Sequence, residues 1–598
     1  MIQIIPVHDV VFALVGLPLL GAAFALLAKA LPAGRLPRVL EYSGALIGLV
    51  LPWLVLARTF PLVFSGQAVE GSVGGWNQVV GIMFRFDGLA WLVNLLGFTI
   101  AGAAWLYSLG AGPRGPGFTM VFLVQTAALA ATSMTADLFN LFVCLEIMGI
   151  ASYVLVATSD KPGAFLASFS YLMVSATAMI FFLLGIYGFY RLTGALSYIG
   201  IQESLAAMPD GGGVLAVVSL ACIVGAVAIR VAIMPVYGWL PDSHALAPHA
   251  VSAVLSGVLI KTPLFALSRV LALIPLGVYV GQIMGYAGAA TALLAVIVAL
   301  SQKDAKRLLA YHTVSQIGYV VTAWGAAMYL GLNSPAGAVL MAAAFLHALY
   351  HAMFKGVLFL SIGAVTDAAG ERNVYRLRNG LRVMKMAGDR LPVSFLAFVL
   401  GALAISAIPP MNGFVSKNIL TYALKGRWEY TLLFAASIGT AASFIKLSRI
   451  FWPAKEKSSV PDTPLTSQTA RISFPVRLSQ GFLAIICLAT GIAGPAIFRL
   501  LVRLFGSGVL AGNIAASAVS ASTSTDVAGN IKIPEVWTLA TLQTTALVVA
   551  GGILLFFLAD TAAGKKVATI IRERYRDFNG LFLAYILGTL ALVIWMLF

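Results

Sequence analysis

Along the chain, apolar runs of roughly 20 residues alternate with short polar connections, the length an α-helix needs to cross a bilayer. The runs fall at 10–31, 40–63, 87–110, 116–134, 137–158, 165–190, 213–239, 248–274, 276–301, 308–330, 335–365, 390–424 (interrupted), 429–452, 481–506, 536–559 and 579–597. They predict about sixteen transmembrane helices. The cations check the count. Alternate connections hold Lys29, Arg35 and Arg38; Arg114; Lys161; Lys303, Lys306 and Arg307; Arg372 through Arg390; Lys455 through Arg477; and Lys565 through Arg576. The connections between them carry isolated cations such as Arg85, Arg191, Arg269 and Lys425. The crowded side reads as cytoplasmic, which places both termini outside. The first run lacks the cationic start of a cleaved signal and is long enough to span, so it reads as a retained helix.

Two connections stand apart. Residues 507–535 are small and polar and predict a flexible external loop. Residues 455–478 form a mixed-charge cytoplasmic loop between a core rich in intramembrane polar groups and a C-terminal extension.

Composition narrows the class. Of 598 residues, 60% are hydrophobic and 10% charged, which excludes a soluble domain and leaves an all-α polytopic membrane protein. The net charge of +16 is absorbed by the orienting cations, so no nucleic-acid partner is expected. Cys144, Cys222 and Cys487 are scattered through apolar stretches without a CxxC pair, which argues against disulfides and bound metal. The sequence carries no nucleotide loop, iron–sulfur cysteine cluster or haem motif. No cofactor is expected in this chain, and FeS, flavin or Ni-Fe centres would belong to partner subunits.

Against this background the intramembrane polar residues carry the chemistry, because each ionisable group at mid-bilayer costs at least about 2.5–3.5 kcal/mol. Glu146 lies near the middle of the fifth run. In the eleventh, His347, His351 and Lys355 recur every four residues, a stripe about 12 Å long suited to a relay. The seventh and twelfth runs are interrupted, at Pro235 near Arg230 and at Pro409, Pro410 and Gly413 before Lys417. Paired discontinuous helices mark an ion site and an inverted repeat. The stretch "AIRVAIMPVYGWLPDSHALAPHAVSAVLSGVLIKTPLFAL" (228–267) adds Asp242, His244, His249 and Lys261. Each feature has a plainer reading: an assembly ion pair for Glu146, satisfied core groups for the histidines, packing kinks for the prolines, and a solvated turn for 239–248.

The segments "DLFNLFVCLEIMGIASYVL", "PVYGWLPDSHALAPHAVSAVLSGVLIKT", "KDAKRLLAYHTVSQIGYV", "LYHAMFKGVLFLSIGAV" and "IPPMNGFVSKNIL" resemble, in order, the antiporter-like membrane subunits of respiratory complex I, Mrp-type cation/proton antiporters and membrane-bound energy-converting hydrogenases. The resemblance implies two inverted five-helix repeats, with helices seven and twelve broken. Its domains would be 1–115, 116–274 (first repeat), 275–453 (second repeat) and 454–598. It also implies a midplane proton pathway through Glu146, Lys261, His312, His347, His351, Lys355 and Lys417, with Gln316 where relatives often carry histidine. Arg230 stands where the family has lysine. A lysine can release a proton when its partner carboxylate moves, whereas arginine stays protonated. Glu146–Arg230 is therefore expected to be a fixed ion pair or gate, with Asp242, His244 and His249 as possible access groups. The long lateral helix of the distal complex I subunit is expected to be absent.

The function so implied is proton translocation, with Na+ exchange as a variant. The setting would be a multi-subunit complex in a prokaryotic cytoplasmic membrane, with other antiporter-like and small membrane subunits and lipid as partners. The competing reading is a structural subunit whose channel is altered by Arg230.

Overall fold

A computed structural model describes residues 7–75, 81–272, 277–332, 334–453, 471–506 and 535–574. Among them, thirteen helices are long and apolar enough to cross a membrane. Two further expected spans fall short of that criterion for local reasons. Ala305–Leu330 is long but carries Lys306, Arg307, His312, Thr313 and Gln316; the twelfth run divides into Val393–Ile405 and Asn412–Ala423. Thirteen plus these two gives fifteen helical counterparts of the expected spans. The run at 579–597, the loop 507–535 except its last residue, and most of 455–478 lie outside the described residues.

Other boundaries differ from the hydropathy pattern. The run at 481–506 is two helices, Phe474–Ile492 and Gly494–Gly506. The stretch 239–248, read as a turn, contains the helix Trp239–Leu246, buried except on its Asp242 face. Ser243 and His244 are buried there together with the apolar residues, and Asp242 alone is exposed. A short antiparallel hairpin, Val69–Ser72 with Met83–Phe86, closes one end near the N-terminal helices.

The long helix Pro335–Ala369 is the centre of the molecule. Of its most apolar window 89% is buried, against 11% for the outlying helix Leu539–Asp560. It packs against Ala305–Leu330, Val393–Ile405, Asn412–Ala423, Phe474–Ile492 and the segment around Lys261. A helix surrounded in this way can carry polar side chains along its length without exposing them to lipid.

Both interrupted helices end by the same backbone device. After Gly213–Arg230, Ala232 takes φ 57°, its N–H reaching Ile229 O and the Ile233 N–H reaching Ala228 O. After Val393–Ile405, Ala407 takes φ 57°, its N–H reaching Ala404 O and the Ile408 N–H reaching Leu403 O. This double bond pattern is the Schellman cap, normally closed by glycine because left-handed backbone disfavours a Cβ. The sequences at the two caps, Ala-Ile-Met-Pro and Ala-Ile-Pro-Pro, run in register to Pro235 and Pro410.

Lys261 occupies a third discontinuity. The helix His249–Val254 loosens into a π-helical stretch, Leu255–Leu259, and resumes as Thr262–Ala272. Such widening frees carbonyls from the α-helical ladder, and insertions of this kind are frequent at functional sites.

Candidate functional site

At the first break, the Arg230 Nη2 donates to Glu146 Oε1 at 3.1 Å. The arginine side chain is 5% exposed and that of Glu146 29%, so the pair sits at the rim of the bundle with its carboxylate facing outward. Gly149, one turn beyond Glu146, leaves room for the guanidinium, since a Cβ there would come within 3.1 Å of Arg230 Nη2. A small cavity of about 10 Å³ lies beside Arg230, lined by Ser175, Tyr171, Trp239, Leu259 and Pro263. The last two flank Lys261.

The Lys261 ammonium is completely buried and donates to Ser256 O at 2.7 Å and Gly257 O at 2.6 Å, the carbonyls freed by the π-helical stretch. Ser256 Oγ in turn meets Thr313 Oγ1 at 2.8 Å, tying this site to the helix Ala305–Leu330. Lys355 Nζ donates to Leu309 O on that same helix and lies 4.7 Å from the centroid of the Phe359 ring. His244 stacks on the same Phe359 ring, with 5.0 Å between centroids.

His347 and His351 are buried, their rings nearly parallel with centroids 6.3 Å apart. His347 Nδ1 is 3.0 Å from Ser416 Oγ, which joins the long helix to the second break one residue before Lys417. The Lys417 ammonium donates to Ile405 O at 2.8 Å and lies 4.9 Å from the Tyr319 ring, which stands 5.7 Å from His347. Ile405 is two residues before the left-handed alanine, as Arg230 is at the first break. Each break thus holds a cation at a helix C-terminus, where the unpaired carbonyls favour positive charge.

Both ring nitrogens of His244, His312 and His351, the Nε2 of His347 and both amide atoms of Gln316 are buried without a protein hydrogen-bond partner. Buried polar atoms are almost always paired, so a run of such groups suits a path in which exchangeable partners such as water complete the bonding. His312 packs instead against Phe444, 5.1 Å between centroids.

The access candidates separate. His249 Nε2 pairs with Asp367 Oδ1 at 3.0 Å, Asp242 pairs with Arg307 at 2.6 Å on an exposed surface, and His244 is enclosed. Asp367 escaped the sequence reading although the signal was present. The four-residue series from His347 continues through Lys355, Phe359 and Gly363 to Asp367. Because each step drifts about 40°, the row winds around the helix, from the second break to the His249–Asp367 pair. Arg269, read as an isolated cation in a connection, forms a buried bidentate pair with Asp87 at 2.7 Å for both contacts. Burial raises the Asp87 carboxyl, but Arg269 and Arg85 outweigh it and hold it below its usual value. Lys306 and Lys446, read as connection and span residues, are buried on backbone carbonyls: Ala247 O for the first, Leu300 O and Gln302 O for the second.

A profile of the NADH:quinone oxidoreductase/Mrp antiporter transmembrane family matches residues 135–446, the region that holds every group in this row. The chain belongs to this family. It is 32% identical over 418 residues to NADH-quinone oxidoreductase subunit N of Desulforudis audaxviator, covering 68% of this chain and 79% of that one. To hydrogenase-4 component B of Escherichia coli it is also 32% identical, over 353 residues, 57% of this chain and half the length of that relative. In structure it is similar to a chain of the membrane-bound sulfane sulfur reductase, an archaeal respiratory membrane complex. The TM-score is 0.72 at 25% identity, over 88% of this chain and all of the other. Within the matched region the chain carries lysine at 261, 355 and 417 and arginine at 230.

Proposed function

We propose that this chain translocates protons as one membrane subunit of a multi-subunit energy-converting complex in a prokaryotic cytoplasmic membrane. The pathway runs from Lys261 through His351 and His347 to Lys417, with Lys355 and His312 beside it. The observation that carries this reading is the set of buried lysines held only by carbonyls, next to histidines with open ring nitrogens. A buried lysine without a carboxylate partner is able to release and take up a proton, which is what a carrier of protons requires.

The full topology in this proposal is sixteen spans with both termini outside and two inverted repeats. The matching caps at Ala232 and Ala407 support the repeat. Redox centres, where the complex has them, belong to partner subunits, as does the choice between redox-driven pumping and exchange against Na+. The Arg230–Glu146 pair favours a second reading, a subunit whose first half is locked and which serves assembly alone. Proton flux through the reconstituted complex separates the two. Lys261→Ala should abolish flux while the complex still assembles; normal flux in that variant would remove Lys261 from the path and favour the structural reading.

A further inference from the structure

The helix Leu539–Asp560 lies outside the matched family region, yet it is built into the neighbourhood of Lys417. A small cleft of about 30 Å³, room for a water or two, opens beside that lysine, bounded by Ser406, Asn418, Thr421, Tyr430 and Ser437 on one side and by Thr544, Thr545 and Val548 on the other. The helix is held where it must be to form that wall. At its middle, Gly552 meets Ala441 so closely that a Cβ would fall 2.5 Å from the Ala441 Cβ and 3.1 Å from the Ala442 nitrogen. At its far end, Asp560 pairs with Arg449 at 3.0 Å. At its near end, Thr538 and Thr541 form a capping box.

The lining is hydroxylic. The Thr421 and Thr544 hydroxyls each donate to a carbonyl of their own helix, which leaves their oxygen lone pairs directed at neighbours. Ser437 Oγ is 2.8 Å from the Tyr319 hydroxyl, whose ring carries the Lys417 ammonium on its face, so the lining is hydrogen-bonded to a residue of the buried row. No carboxylate is among the lining residues. Glu429, on the same helix as Tyr430, is held by Arg427 at 2.8 Å. Hard cations such as Na+ favour carboxylate and carbonyl oxygens, and a lysine in the wall repels them. Hydroxyls and a lysine suit a chain of water that passes a proton.

We propose that Leu539–Asp560 is the outer wall of a hydrated outlet from Lys417 to the external face, and that this outlet conducts protons rather than sodium ions. The inference rests on the translocation reading above and extends it to a helix beyond the matched core.

The test uses the intact complex in vesicles, with Thr544→Cys as reporter and Leu554→Cys, on the 62% exposed lipid-facing side of the same helix, as control. Cys144, Cys222 and Cys487 are buried, so the unsubstituted protein supplies the blank. A membrane-impermeant thiosulfonate added outside should label Thr544→Cys and reduce proton flux several-fold, and should leave Leu554→Cys unmodified. Val548→Trp, which fills the cavity, should slow flux with assembly intact. Failure to label Thr544→Cys in a complex whose flux is normal would overturn the wall while leaving translocation standing. Labelling without any flux in the unsubstituted complex would overturn translocation instead. Sodium should protect Thr544→Cys from the reagent no better than choline does, because the outlet holds no sodium ion; protection by sodium that choline does not give would overturn the ion assignment.

Discussion

The two helix breaks share a backbone and differ in what they do with charge. At the first, arginine closes on Glu146 and the pair faces the rim. At the second, the lysine ammonium returns to the equivalent carbonyl, Ile405 O, and has an aromatic ring for its other neighbour. One site holds a charge that cannot leave, neutralised by a partner; the other holds a charge that can, with no partner to keep it. On the function proposed above, the same cap serves a clamp in one half of the molecule and a carrier in the other. The row on Pro335–Ala369 starts at the second break, beside Ser416 and Tyr319, and winds to Phe359, which stacks on His244, and to Asp367, which pairs with His249.

If the clamp is real, breaking it on one side should be the most damaging change. Arg230→Ala leaves the Glu146 carboxylate without its cation; losing one partner of a fully buried pair costs about 3–5 kcal/mol, and the 29% exposure of the Glu146 side chain makes the loss here smaller than that. Yield of the assembled complex and its thermal unfolding should both fall, and Glu146→Gln with Arg230→Gln should recover much of the loss. A double variant as damaged as the single one would show that the arginine acts by packing alone. At the second break the opposite is expected. Lys417→Met removes a buried charge that no carboxylate balances, so assembly and unfolding temperature should hold while proton flux is lost.

The caps themselves sharpen the comparison at smaller scale. Left-handed backbone costs alanine about 1 kcal/mol or more, partly offset in glycine by its greater freedom when unfolded. Ala232→Gly and Ala407→Gly should each stabilise slightly and to the same extent, in thermal unfolding of the purified complex. Unequal responses would separate two sites that the hydrogen bonds make alike. The smallest effect belongs to Asp242→Asn, which opens an exposed pair with Arg307 worth no more than about 1 kcal/mol.

The spans were legible because burial in lipid imposes a plain length and composition on each helix, and the alternating cations fixed their order. Ala305–Leu330 was still found by apolar length, although its polar face keeps it below a strict hydropathy threshold. Less was legible wherever the partner is distant in sequence or made of backbone. Proline announced both breaks, but the alanine caps carry no glycine to mark them, and only the repeated Ala-Ile-x-Pro gives them away. The site lysines were visible as charges in apolar runs, whereas their carbonyl partners depend on a π-helical stretch that no residue pattern specifies. Arg269 and Asp87 lie 182 residues apart, so their pairing had no local signal. Asp367 was within reach, since the four-residue series that begins at His347 leads to it.

The central claim, that the second break carries protons because its cation can be deprotonated, is tested most directly by Lys417→Arg. Arginine keeps the positive charge beside Ile405 O but cannot release its proton. Measured in vesicles against the unsubstituted complex and Arg230→Lys, proton flux should vanish in Lys417→Arg with assembly intact, and persist in Arg230→Lys. Flux in Lys417→Arg equal to that of the unsubstituted complex would contradict the account.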